Sequence, residues 1–174
     1  IGAMEELKRL WPEVDIRPYR FVRQLMNVGF LFSKIKRAFK KMFFRSSERF
    51  MVEWMLTPYG YPVDNSFARF VESIVKEKKA DVLQVEFYPY LNFVHKLPRT
   101  VRKVFIHHEI RYIRNRRLLA DIKLLPSEVE YMEFLKCQEI NDLNCFDEVI
   151  TLTDVDRKEL LASGVTVPIT VSPA

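Results

Sequence analysis

The chain has 174 residues, enough for one domain with a real core, and its 48% hydrophobic and 29% charged content excludes a disordered or collagen-like polypeptide. No apolar run reaches the roughly 18–20 residues of a transmembrane helix, and residues 1–6 lack the basic start and apolar centre of a signal peptide. The net charge of +5 is modest, but its placement is not even.

Residues 14–19, Val-Asp-Ile-Arg-Pro-Tyr, read as a short strand closed by Pro18. Residues 16–45 then carry nine Lys and Arg and no acidic residue, interleaved with phenylalanines and other apolar residues. Leu25, Phe32, Ile35, Phe39 and Met42 recur at helical spacing. Two readings fit a basic amphipathic helix. In one, Arg23, Lys34, Arg37, Lys40 and Lys41 contact an anionic membrane surface, each worth about 1 kcal/mol near the headgroups. In the other, the phenylalanines pack on the core and the lysines are solvated. A nucleic-acid-binding module is a third use of such charge. The segment matches no nucleic-acid motif, and its apolar residues are too many and too helical for a stacking platform, so no nucleic-acid partner is expected.

A second helical segment covers residues 47–56, and the Pro- and Gly-bearing stretch 57–62 breaks it. Asp64 or Asn65 can cap a helix over 66–79 whose inner face holds Phe67, Phe70, Val71, Ile74 and Val75. Residues 80–87 form a strand, 89–96 a short helical piece, and 103–108 a second strand. A long helical stretch from 111 to 146 is interrupted by Pro126. A strand over 148–152 leads to Thr153-Asp154, the N-cap of a helix over 155–163 that Gly164 ends, and 169–172 is a last strand. Strands alternating with helices predict an α/β fold: a Rossmann-like parallel sheet with helices on both faces. The whole of 1–174 is expected to be a single Rossmann-like domain fragment. Residues 1–79 supply a basic helical region with one short strand, and 80–174 supply the core βα units.

Only four glycines occur, and neither a GxGxxG nor a P-loop pattern is present, so no nucleotide site is visible. Cys137 and Cys145 lie eight positions apart, match no zinc spacing and read as free thiols. The stretch 104–112 is the most informative. An apolar run ends on His107, His108 and Glu109, which places polar side chains at the carboxyl end of a parallel strand, the edge where ligands bind in open α/β sheets. His107 points to the opposite face from His108 and reads as structural, and because adjacent strand residues diverge, no metal site is expected from the pair.

Four pieces in order carry a resemblance. They are Ala80 to Phe87 with Asp81 at its entry, Lys103 to Tyr112 with its His108-Glu109 and Tyr112, the Glu139…Phe146-Asp147-Glu148-Val149-Ile150-Thr151-Leu152-Thr153 segment, and Val165…Ile169-Thr170-Val171-Ser172-Pro173-Ala174. Together these residues resemble the amino-terminal, acceptor-side domain of a GT-B-fold group 1 glycosyltransferase (glycosyltransferase family 4). The resemblance covers about residues 80–174. It implies the amino-terminal half of a GT-B architecture, incomplete at both ends, with the carboxyl-terminal nucleotide-sugar domain and its E-x(7)-E glutamates absent.

The implied activity is that of a retaining glycosyltransferase. It would move a sugar from a nucleotide-sugar to a glycan or lipid-linked acceptor, in the setting of envelope polysaccharide synthesis. His108 is the implied catalytic residue, approaching the donor sugar and helping to stabilise oxocarbenium charge. Glu86, Glu109, Tyr112, Arg111 and Arg114 are the implied acceptor-binding residues, the arginines being suited to an anionic lipid diphosphate. Helix-surface charge is the other reading of the arginines, and a solvated strand end that of Glu86. Glu139 reads as a structural contact. No cofactor is expected, since the nucleotide-sugar is a substrate held mainly by the absent domain. The fragment alone is expected to be inactive and to bind UDP- or GDP-sugars weakly. The cytoplasm is the expected location, with a peripheral position at the inner membrane and a homodimer, in which a partner copy covers the open sheet edge, as further expectations.

Overall fold

The computed structural model of the chain describes residues 3–19, 48–57 and 64–172. Two compact units divide it, Ile1–Phe43 and Phe44–Ala174. The basic positions Arg23, Lys34, Arg37, Lys40 and Lys41 lie outside the described residues.

In the first unit, α1 spans Ala3–Leu10, with Glu5 and Glu6 in its first turn and Lys8 and Arg9 in its last, the polarity that suits the helix dipole. The strand expected over 14–19 does not form; that stretch is irregular, and Arg17 pairs with Asp15 at 2.7 Å.

In the second unit, α2 (Glu48–Met55) and α3 (Asn65–Lys78) precede the sheet. The four strands β1 (Val82–Glu86), β2 (Arg102–His107), β3 (Glu148–Thr151) and β4 (Ile169–Val171) form one sheet in the order β1-β2-β3-β4, all neighbours parallel. With its connecting helices this is an α/β fold of Rossmann-like character. Parallel neighbours require crossovers. The crossovers are a 3-10 segment over Tyr88–Lys96, the pair α4 (Arg111–Leu118) and α5 (Pro126–Leu143), and α6 (Asp154–Ala162).

Local chemistry accounts for the boundaries. The Asp64 side chain accepts from the Ser66 N–H at 2.9 Å and so caps α3. At the other end Lys79 adopts φ 49°, and the N–H groups of Lys79 and Ala80 reach back to Lys76 and Val75, the bond pair of a Schellman motif. Gly164 closes α6 in the same way at φ 105°. The helical stretch expected over 111–146 breaks at Leu119, earlier than expected. Pro126 begins α5 instead of interrupting a helix, because its missing N–H costs nothing at a first helical position. The Glu128 carboxylate accepts from the Leu125 N–H at 2.8 Å and completes that start. His108, expected as the last strand residue, lies one position past β2.

The sheet face carrying Val85, Phe105, His107, Val149 and Thr151 is buried, and Phe105 lies 5.2 Å from the Phe146 ring. Leu91, Phe93 and Val94 of the 3-10 segment, Leu143 of α5 and Leu160 of α6 complete this core. On the other face Ile106 and Ile150 are half-buried, and Gln84 is exposed. A second, smaller cluster joins Val52 and Met55 of α2 to Leu119 and Leu135. Arg49 of α2 pairs with Glu128 at the head of α5. Among the described residues no helix is long and apolar enough to cross a membrane.

Candidate functional site

Register brings two strand ends together. Glu86 stands beside Ile106, and side chains two apart on a strand share a face, so His108 emerges on the Glu86 side. His108 Nε2 lies 3.1 Å from Glu86 Oε2, both side chains being partly open to solvent. Glu86 Oε1 accepts from Gln84 Nε2 at 2.6 Å, which aims the carboxylate. The tautomer with the proton on Nε2 donates to Glu86 and turns Nδ1 into an acceptor.

Phe87 stacks on the His108 ring, with centroids 4.7 Å apart and planes 12° from parallel. It does so from a backbone with φ 66° and ψ 130°, a combination that L side chains avoid. Its ring remains 55% exposed. Together with Tyr88, Pro89, Tyr90, His108 and Glu109, Phe87 lines an open hollow of about 460 Å³. The aromatic run Phe87-Tyr88-Pro89-Tyr90, directly after a strand end, was the available sequence signal for this wall; sequence reasoning passed over it.

The remaining acceptor-binding expectations divide. Glu109 stays at the hollow, but its carboxylate accepts from Arg114 Nη1 at 2.9 Å. The Arg114 guanidinium also sits 5.1 Å from the Tyr88 ring centroid. Burial works against its charge, yet Tyr88 and Glu109 outweigh that and raise its pKa above the ordinary arginine value.

Arg111 and Tyr112 are corrections. Arg111 is 4% exposed, and its Nη2 donates to the Thr57 carbonyl just past α2, while Asn115 Nδ2 donates to the Met55 carbonyl at 2.8 Å. A cation there satisfies orphan carbonyls at the negative end of the α2 dipole, so Arg111 closes a helix and does not face an acceptor. Tyr112 is also buried, and its hydroxyl donates to Ser163 Oγ at 2.7 Å. Burial pushes the phenol above its ordinary pKa, so the donor stays protonated.

His107 lies on the face opposite His108, as expected, and meets Glu139 in the buried interior. His107 Nε2 lies 3.1 Å from Glu139 Oε1, with both side chains only 1% exposed. Glu139 also accepts the backbone N–H groups of Arg111 at 3.0 Å and Tyr112 at 3.2 Å. One carboxylate from α5 thus caps α4, whose own N-cap residue, Ile110, has no side-chain acceptor. It thereby sets where the chain leaves β2 through His108 and Glu109.

A third histidine–carboxylate pair escaped sequence reasoning. His95 Nε2 lies 2.7 Å from Asp142 Oδ1 and ties the 3-10 segment to α5. Burial raises the Asp142 pKa above the ordinary range, and His95 only partly offsets this. Among the described residues no group of three or more His, Cys, Asp or Glu is placed to hold a metal, and both cysteines are free and exposed. No family model matches the chain, and neither a curated protein nor a solved structure matches it.

Proposed function

We propose that this chain is the acceptor-side domain of a retaining GT-B glycosyltransferase, working on a glycan or lipid-linked acceptor in envelope polysaccharide synthesis. The observation that supports it best is the Glu86–His108 pair, stacked on Phe87 beside an open hollow at the carboxyl edge of a parallel sheet. In this reading Glu86 fixes the His108 ring, and the free ring nitrogen accepts a sugar hydroxyl. Cleavage of the bond from the anomeric carbon to the nucleoside diphosphate and formation of the new bond to the acceptor oxygen leave the acceptor's proton on the departing diphosphate. The imidazole, oriented by a carboxylate, steadies the positive charge that builds on the sugar ring.

Sugar transfer by the complete gene product, assayed with a panel of nucleotide-sugars and a lipid and polysaccharide extract, tests the reading. Transfer with retained anomeric configuration is expected, and His108→Ala should reduce kcat by about 10²–10³-fold, the loss typical of one transition-state hydrogen bond. Failure to consume any nucleotide-sugar would overturn it.

A membrane-docking reading stands beside it, favoured by the run of nine cations without an acid over residues 16–45. It places the protein in the cytoplasm, peripheral to the inner membrane, and is compatible with transfer to a lipid-linked acceptor. Flotation with anionic vesicles, lost in high salt and absent with neutral ones, is the expected result. Binding to oligonucleotides but not to anionic vesicles would sink it.

A further inference from the structure

The chemistry of the hollow at β1 and β2 selects among acceptors, and the selection rests on the transferase reading above. Its wall is the exposed Phe87 ring, Tyr88, Pro89 and Tyr90, and its polar groups are His108 and Glu109, with Glu86 behind His108. Among the described residues no lysine or arginine lines it. The two nearby cations are committed elsewhere: Arg111 to the Thr57 carbonyl, Arg114 to Glu109, and each guanidinium lies 5.1 Å from the Tyr88 ring centroid.

Among the described residues, an anionic group entering this space meets the Glu86 carboxylate beside His108, the Glu109 carboxylate already paired with Arg114, and no cation without a partner, which disfavours a phosphate. A neutral polyol meets the opposite situation. Carboxylates accept from vicinal hydroxyls, His108 offers a further acceptor nitrogen, and the electron-rich face of Phe87 attracts the electropositive C–H face of a pyranose ring. The backbone of Phe87 strengthens this reading. A bulky residue held at φ 66° with its ring more than half exposed is strained for no gain in burial, and such strain collects where a side chain is presented to a ligand.

We infer that the hollow is a subsite for an uncharged hexose unit, the non-reducing end of a saccharide acceptor, stacked on Phe87 and gripped by His108 and Glu109, with Glu86 orienting His108. It is not a phosphate site. The expectation that Arg111 and Arg114 receive a lipid diphosphate is replaced at this position by recognition of sugar hydroxyls.

The test is a titration of this chain, followed through the ring resonances of its three histidines by NMR. The probes are the methyl glycosides of glucose, galactose and mannose, with inorganic pyrophosphate and UMP as anionic counterparts. A monosaccharide has few atoms to bind with, so a dissociation constant of about 1 mM or weaker is expected. At least one glycoside should shift His108 and leave His107 in place. Phe87→Gly, which removes the ring and suits the backbone, should weaken binding at least about tenfold, while Phe87→Tyr keeps the stack and stays within about threefold. Pyrophosphate and UMP should leave His108 unmoved. The inference is overturned if no glycoside shifts His108, if either anion shifts it at lower concentration, or if Phe87→Gly binds like the wild type. Glycoside binding without any sugar transfer by the gene product would instead defeat the transferase reading and leave the subsite standing. Transfer without glycoside binding would do the reverse.

Discussion

His107 and His108 are adjacent and do unrelated work. Strand alternation sends one to a buried carboxylate and the other to a solvent-facing one. The buried partner, Glu139, accepts from three donors, so Glu139→Ala orphans two helix N–H groups and an imidazole at once. A loss of about 3–5 kcal/mol is expected from urea denaturation, and about 1–3 kcal/mol for Glu139→Gln, whose amide repels one donor but keeps an acceptor. Asp142 makes a pH prediction. Its pKa is raised in the fold, so the native state holds the proton more tightly than the unfolded chain, and this contribution to stability falls as pH rises from the ordinary carboxylate value toward the raised one. Asp142→Asn should therefore gain stability on the wild type at neutral pH and lose that advantage as the pH falls through the raised value toward the ordinary carboxylate one. Denaturation of both proteins across pH 4–7 checks the sign, within the window set by ordinary carboxylates near about 3.9.

At the scale of the element, boundaries follow from capping chemistry. Asp64, Thr153 and Gly164 were legible as helix signals because each acts within two or three residues of its own position. Lys79 carries no such signal, yet it occupies the left-handed position that glycine prefers. Lys79→Gly should raise stability by about 1 kcal/mol, read from the shift in urea midpoint at unchanged slope. The cap supplied to α4 by Glu139 was not legible. It depends on α5, whose Glu139 lies 28 residues beyond Arg111, and no local pattern encodes a partner at that separation.

At the scale of the whole second unit, the larger core among the described residues runs under the β1–β2 edge that carries the hollow. Phe105, fully buried between Phe146 and His107, joins the sheet to its helices. Phe105→Ala should cost about 3–5 kcal/mol, much of the 5–15 kcal/mol that a domain typically holds, and calorimetry should show a large fall in Tm. The surface above is built from charges already spoken for, which is why it suits hydroxyls better than phosphates.

Patterning along the chain was sufficient for the order of strands and helices over 64–172, though it also suggested a strand over 14–19 that does not form. Parallel pairing followed from strands alternating with helices, and the opposite facing of the two histidines from a side-chain period of 2. It could also place Glu86 and His108 at one sheet edge. Which charges are free at that edge was a matter of folding alone. Arg111 reads as a surface cation in sequence and becomes a buried helix cap because α2 ends beside it, and Phe87 reads as a strand's last apolar residue and becomes an exposed platform because its backbone turns outward. Neighbours distant in sequence set both outcomes, so the character of the site belongs to the packing, while its location belongs to the chain.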